Sequence, residues 1–377
     1  MKSGAPAQRI ALFLPALDGG GAERVFVELA NEFAARGFDI DLVLATARGP
    51  YLPDVSEAVR IVDLRASRIL LALPKLVRYL RRERPSVMLS ALDHANVAAV
   101  VASRLSASST RCVISMRSVP SEVYRRSDSA ASALLLRGMR VVYRFADEII
   151  ANSHAVARDL ARLIRVPADR IIVIHNPVNL ARLEEQAAAP VPHESLEAGR
   201  PPVVMGVGSL APLKDFKTLL RAFSLVRKGR QCRLVLLGEG GEREKLVALA
   251  RDLGVERDVL LPGFVANPFA WMARAGVFVS SSVTEGCPNV LMQALALGIP
   301  IVSTNSVGGA AEILEHGRWG RLVDVGSPQQ MADAIVESLD AGRQDGLRQR
   351  AAQFSHLKIA STYLDTLLRG NASAIAG

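Results

Sequence analysis

The residues best suited to chemistry lie between Ser281 and Glu312, in the stretch SSVTEGCPNVLMQALALGIPIVSTNSVGGAAE. Val277–Ser280 is a short apolar run of strand type, and Glu285-Gly286 stand just past its end. Pro288 has the φ of a helix start and Asn289 the side chain of an N-terminal cap. Val290–Ala296 then reads as helix, Gly298 as its left-handed end and Pro300-Ile301-Val302 as the next buried strand. Backbone N–H groups at Asn289–Leu291 would point out of the helix start, where phosphate binds well. Glu285 is a carboxylate beside that anion site. Amides for a diphosphate and an acid for sugar hydroxyls make a pocket suited to a nucleotide sugar. The same residues also fit a plain strand–helix–strand unit whose glycines serve only turns.

These groups need a scaffold, and the chain supplies two sets of alternating strands and helices. In the second set, Val203–Val207 is a strand, followed by Gly208-Ser209-Leu210-Ala211-Pro212-Leu213-Lys214 and a helix from Asp215. That spacing predicts that the Lys214 ammonium and the helix dipole converge on one anion; a plain surface lysine is the alternative. Leu234–Leu237 leads into Gly238-Glu239-Gly240-Gly241, and Leu260-Leu261-Pro262 into Gly263-Phe264-Val265. In the first set, strand Ile10–Leu14 precedes Asp18-Gly19-Gly20-Gly21, a helix over Ala22–Arg36 and a strand over Ile40–Ala45. This order signals a doubly wound parallel sheet. Gly20 and Gly21 allow a substrate close to the backbone or simply make a tight turn. They lack the G-x-G-x-x-G spacing of a dinucleotide site. Asp39-Ile40-Asp41 spells D-x-D, but its acids flank a strand residue directly after a helix end, so it is not read as a metal site. Ser86–Ser90 and Arg111–Met116 are further strands, with a helix over Asp93–Leu105 between them. His94 and Asn96 fall at a strand's carboxyl end, where open α/β sheets bind ligands, although an ordinary helix start would also place them there. Arg117 could meet an acceptor phosphate or stay solvated. Strands Ile149–Ala151 and Ile171–Ile174 complete the set, with a cap at Asn152-Ser153. Leu180–Pro202 has the composition of a linker, and Ile359, Tyr363, Leu364 and Leu367 mark a terminal helix within Phe354–Leu368.

Composition narrows the class. A chain of 377 residues, half of them apolar, can form two domains with separate cores. Cys112, Cys232 and Cys287 have no metal-type spacing and suggest a reducing compartment. No leader-like segment or spanning apolar run is read, so a soluble, cytoplasmic protein is expected. The net charge of +9 is uneven: residues 1–178 hold 25 Lys/Arg against 17 Asp/Glu, and residues 179–377 hold 21 against 20. Between Arg60 and Arg170 the balance is 20 against 9, which calls for an anionic partner. Within it, Ala130–Ala146 reads AASALLLRGMRVVYRFA. Leu134, Leu135, Gly138, Val141, Val142 and Phe145 can share one face, and Arg137, Arg140 and Arg144 another. With Lys75, Arg78, Arg81, Arg82 and Arg84 nearby, this is the make-up of a helix lying on an anionic membrane; a packed helix with solvated arginines carries the same stripe. Nucleic acid is not expected, since aromatic stacking clusters and helix-turn-helix or zinc patterns are missing.

The stretch Ser281–Glu312 resembles the retaining glycosyltransferases of family four, with their Glu-x7-Glu signature. Glu285 matches the first Glu, and the second position is Gln293, which keeps hydrogen bonding but loses the charge. The resemblance implies an α/β GT-B fold of two Rossmann-like domains facing a deep interdomain cleft. It sets an acceptor domain over 1–180, a linker over 181–202, a donor domain over 203–353 and a terminal helix over 354–377 crossing back to the first domain. It further implies sugar transfer from a nucleotide diphosphate, of uridine type by family frequency, to a glycan or lipid-linked hydroxyl. The leaving phosphate could itself take the proton, and neither metal nor cofactor is expected. Lys214 and Glu285 would carry the chemistry. Gly20, Gly21, Ser209, Glu239, Gly263, Phe264, Gly286, Pro288, Asn289, Val290, Leu291 and Gln293 would join them around the donor. His94, Asn96 and Arg117 would face the acceptor. Ser209 replaces an Arg that relatives carry, which should weaken diphosphate binding unless another Arg takes its place. An inactive relative, a basic binding module and a sugar-nucleotide epimerase are the competing readings. The inner face of the cytoplasmic membrane is the expected place of any peripheral attachment.

Overall fold

A computed structural model describes residues 8–125, 129–191, 193 and 199–369. The chain divides into two compact units, residues 1–177 with 356–377, and residues 178–355. The expected boundaries fell after 180 and before 354.

Unit 1 holds seven strands: β1 Arg9–Leu14, β2 Asp39–Leu44, β3 Val59–Asp63, β4 Val87–Ala91, β5 Arg111–Met116, β6 Glu148–Ala151 and β7 Ile171–Val173. All pair in parallel, in the order β3-β2-β1-β4-β5-β6-β7. Continuous apolar runs such as Ile10–Leu14 form the central strands because both sheet faces are covered. On one face lie α2 Ile69–Glu83, α3 Asp93–Ser106, α5 Ala130–Val142 and α6 His154–Ile164, after α1 Gly21–Ala35 and with α4 Pro120–Arg125 beside α6. The opposite core joins α1 to the terminal helix His356–Leu368, through Phe26, Phe33, Tyr363 and Leu367. Arg36 fastens the two by donating to Ser361 Oγ (2.7 Å) and the Leu357 carbonyl (2.9 Å). Residues 370–377 of the expected terminal helix lie outside the described residues.

Strand β3 and helix α2 were not read from the sequence. Helix α2 carries Pro74 inside it, and its basic last turns had been read only as charge. The D-x-D acids have separate structural fates. Asp39 is exposed, while the buried Asp41 carboxylate accepts from Arg60 Nε (2.7 Å), Arg60 Nη2 (2.5 Å) and the Tyr79 hydroxyl (2.6 Å). Burial, and then that bond to Asp41, push the Tyr79 phenol well up.

Unit 2 opens with α7 Leu180–Ala187, where composition had suggested the start of a linker. The Asn179 side chain caps it by accepting from Arg182 N (3.1 Å), and Leu183 is buried. Of the expected linker, residues 192 and 194–198 lie outside the described residues. Six strands follow: β8 Val203–Val207, β9 Arg233–Leu237, β10 Val259–Gly263, β11 Val277–Ser280, then, past the short β12 Thr284–Glu285, β13 Ile301–Thr304, and past the short β14 Val307–Gly308, β15 Arg321–Val323. The sheet order is β10-β9-β8-β11-β13-β15, again parallel, while β12 and β14 pair separately. Helices α8 Phe216–Gly229, α9 Arg243–Asp252, α10 Pro268–Met272, α11 Asn289–Leu297, α12 Ala310–Ile313, α13 Pro328–Ala341 and α14 Leu347–Ala351 complete the unit, and the unit 1 terminal helix is α15. The strand order reverses between β1 and β4 in one sheet and between β8 and β11 in the other. Ligands of open α/β sheets bind at such switch points, beyond the strand carboxyl ends.

Candidate active site

In unit 2 the loops after β8 and β11 meet at the switch point. The first loop runs through Gly208 and Ser209 to a 3-10 turn, Pro212–Lys214, and Asp215 then opens α8. The Asp215 carboxylate accepts from Thr218 N (3.3 Å) and Thr218 Oγ1 (2.6 Å). The start of α8 is therefore capped by its own acid, which corrects the expectation that it shares an anion with Lys214. The Lys214 ammonium instead donates to Glu285 Oε1, with both side chains mostly buried. Two residues sequence reasoning missed hold this pair. Ser282 Oγ donates to Glu285 Oε1 (2.8 Å), and Ser281 Oγ to the Lys214 carbonyl (2.7 Å). Thr304 Oγ1 donates to the Ser282 carbonyl (2.5 Å), and Val283 N to the Leu213 carbonyl (2.8 Å). The available signal was the serine run at the carboxyl end of a strand.

Glycine is required behind this pair. Gly308 has φ +143°, and a Cβ there would stand 1.5 Å from the Glu285 carbonyl oxygen. Only its absence lets β14 pair with β12 and fix the Glu285 backbone. Helix α11 begins as the sequence suggested, with a correction at its first turn. Pro288 is the cap, without a side-chain bond, and Asn289 is the first helical residue. The Leu291 N–H is given to the Pro288 carbonyl (3.1 Å) rather than left outward. Gly286 is buried, Val290 half-buried, and Gln293 half-buried on the same helix.

The other donor residues of unit 2 occupy the ends of β9 and β10. Glu239 Oε1 accepts from Arg243 Nη1 (2.9 Å), and Gly238 N donates to the Gly263 carbonyl (2.9 Å). Phe264, next to it, is 79% exposed. Ser209 adds no cation, and Lys214 is the basic side chain held at the pair.

In unit 1, Gly20 is the N-cap of α1 and Gly21 its first residue. Glu23, also missed, folds back over Gly20, and burial pushes its carboxyl up. After β4, Leu92 turns the chain with φ +74° into α3. His94 is exposed there. Asn96 is wholly buried and donates to the Ser115 carbonyl (3.0 Å), so it braces strand β5 rather than meeting an acceptor. Asp93 accepts from the Tyr124 hydroxyl (2.6 Å), and burial pushes its carboxyl up. Arg117 is not solvated. Its guanidinium lies over the Phe26 ring at 5.5 Å and donates through Nη1 to Asn176 Oδ1, while Nε and Nη2 are buried without a hydrogen-bond partner.

Two parallel α/β units of this strand order make a GT-B fold, the fold of a class of glycosyltransferases. The "Glycosyltransferase Family 4" model matches residues 19–182, and "Glycosyl transferases group 1" matches residues 201–341. A lipopolysaccharide core biosynthesis glycosyltransferase of Rhizobium meliloti is 30% identical, over 92% of this chain and 96% of its own. The N-acetylgalactosamine-N,N'-diacetylbacillosaminyl-diphospho-undecaprenol 4-alpha-N-acetylgalactosaminyltransferase of Campylobacter jejuni is 28% identical, over 96% of this chain and all of its own. The solved structure of Anabaena HepE with UDP has the same fold, with a TM-score of 0.78 at 22% identity, over 96% of this chain and 99% of its own. The chain belongs to glycosyltransferase family 4.

Proposed function

We propose that the chain moves a sugar from a uridine-type nucleotide diphosphate to a hydroxyl of a glycan or lipid-linked acceptor, with retention and without metal. The carrying observation is the Lys214–Glu285 pair, fixed by Ser281 and Ser282 where the strand order reverses. Two relatives favour the substrate classes: HepE was solved with UDP and with UDP-glucose, and the C. jejuni enzyme is named for a diphospho-undecaprenol acceptor. On this reading the reaction belongs to cell-surface glycan or glycolipid synthesis, and the proposal includes peripheral contact with the cytoplasmic side of a membrane.

The demanding step is departure of the nucleotide diphosphate, whose oxygen gains negative charge as the bond from the sugar carbon breaks. Lys214 turns from Glu285 to that oxygen, and a preorganised cation there acts most strongly as charge develops. Glu285, held by Ser282, then accepts from the sugar hydroxyls and orients the ring. The acceptor hydroxyl attacks on the face the phosphate leaves, and its proton passes to the departing phosphate oxygen. The α11 start and Gln293 hold the remainder of the nucleotide, with Phe264 beside the base. On this reading the cation that meets the diphosphate is Lys214. A thermal-shift panel of nucleotide diphosphates and their sugars, run with a chelator, tests the reading. A shift with UDP and a larger one with a UDP-sugar are expected; stabilisation only when divalent metal is added would overturn the metal-free mechanism.

A further inference from the structure

The layer α2, α3, α5 and α6 covers one face of the unit 1 sheet, and its outer side is unusual. Twelve large hydrophobic residues are exposed among those described, and six of them, Leu70, Leu71, Leu105, Leu134, Val141 and Phe145, belong to α2, α3, α5 and the turn after α5. The apolar stripe read along Ala130–Ala146 is in fact split. Met139 and Tyr143 are buried, with Leu135 and Val142 packed against that core, while Leu134, Val141 and Phe145 are 70%, 61% and 55% exposed.

Between the last turns of α5 and α6 is a groove of about 460 Å³, lined by Arg140, Arg144, Arg162 and Arg165 with Val141, Leu163 and Phe145. It contains no acidic residue. Arg144 Nε donates to the Ile164 carbonyl (2.9 Å) and so ends α6. Arg140, Arg162 and Arg165 form no ion pair among the described residues. A neighbouring groove, between α2 and α3, repeats the composition with Arg78, Arg81 and Arg82 around Leu73, Val77 and Leu105. Arg104 links the two grooves, its guanidinium donating to the Phe145 carbonyl (3.1 Å from Nε).

Cations in the last turn of a helix are explained by the helix dipole. Apolar side chains left in water beside three guanidinium groups that form no ion pair among the described residues are not. The pairing of phosphate-binding cations with apolar side chains of the same height fits the boundary between lipid headgroups and acyl chains. A polynucleotide would satisfy the arginines but leave Leu134 and Val141 in water. Helices run back from the strand carboxyl ends, so the α6 end stands about 16 Å from its start beside Asn152. The groove is thus separate from the loops that hold His94 and Arg117.

We propose that this outer face docks on an anionic bilayer, with Arg140, Arg162 and Arg165 around a phospholipid headgroup phosphate and Val141 and Phe145 entering the acyl boundary. The inference rests on the membrane part of the reading above and is independent of the transfer chemistry.

Sedimentation with vesicles tests it, using phosphatidylcholine alone and phosphatidylcholine mixed with phosphatidylglycerol. The full chain is expected to sediment with the mixed vesicles and remain in the supernatant with the neutral ones. The combined variant Arg140→Glu/Arg162→Glu/Arg165→Glu should lose about hundredfold or more in partitioning, since each cation near anionic lipid contributes about fivefold. Lys228→Glu/Arg251→Glu/Arg257→Glu, with the same change of net charge in unit 2, should bind as the parent does. Val141→Ser/Phe145→Ser should weaken binding at unchanged charge. Circular-dichroism melting of each variant reports folding, and UDP titration of the parent reports the donor site. Vesicle binding without UDP binding would remove the donor reading and leave this one standing. Equal loss in both triple variants, equal recovery with both vesicles, or no effect of the apolar variant would overturn it, the last pointing to a polyanion such as RNA.

Discussion

Lys214 and Glu285 pair with each other, so binding a diphosphate gives Lys214 one charged partner for another rather than burying a free cation. The exchange keeps Lys214 paired, and Glu285 retains Ser282 and gains the sugar hydroxyls when the whole donor binds. Replacing Lys214 by Ala should lower kcat about hundredfold or more, as loss of a group stabilising developing charge commonly does; steady-state assays with saturating UDP-sugar measure this. Glu285→Ala should lose a similar amount, and Ser282→Ala less, because it frees a rotamer without removing charge. Gln293→Ala should raise KM for the donor with little change in kcat. Glu285 was legible in the sequence as a carboxylate past a strand end, and Lys214 as a cation before a helix. Their mutual contact was not, because 71 residues separate them and only the sheet order brings their loops together. Asp215 was misjudged for a related reason: a carboxylate at a helix start reads equally as a neighbour of an anion or as the cap that takes its place.

The elements carry the next constraint. A Cβ on Gly308 would collide with the Glu285 carbonyl, so Gly308→Ala should either separate β14 from β12 or unfold unit 2. A loss of several kcal/mol is expected, at least about 3, measurable by chemical denaturation. Activity should fall with it even where the protein remains folded. Asp93 makes a different test. Burial raises its carboxyl pKa although Tyr124 opposes the shift. A raised folded pKa means that the stabilising protonated form is complete below the unfolded value and is lost as pH rises through the folded one. Asp93→Asn should therefore gain melting temperature over the parent, and the gain should grow as pH rises above about 4. A gain independent of pH would contradict the assignment. The central strands were legible because buried parallel strands are continuous apolar runs. Strand β3 was missed because VRIVD alternates with charge, and α2 because Pro74 interrupts its pattern. Helix α7 was hidden by the run Ala187-Ala188-Ala189-Pro190 at its end, which reads as linker.

For the whole molecule, the division into two α/β units and the concentration of positive charge in the first were both readable from residue order alone. No described helix is long and apolar enough to cross a membrane; the proposed lipid contact rests on the basic, partly apolar face of unit 1. The central claim, that Lys214 serves the diphosphate and Glu285 the sugar, is tested most directly by calorimetric titration of three proteins with UDP and with UDP-glucose in the presence of a chelator. The parent should bind both. Lys214→Ala should weaken both by at least about tenfold, the loss expected for one charge-assisted hydrogen bond. Glu285→Ala should weaken UDP-glucose but bind UDP as well as the parent or better, since its Lys214 is released. Unchanged UDP affinity in Lys214→Ala, or parallel losses for both ligands in Glu285→Ala, would contradict the account.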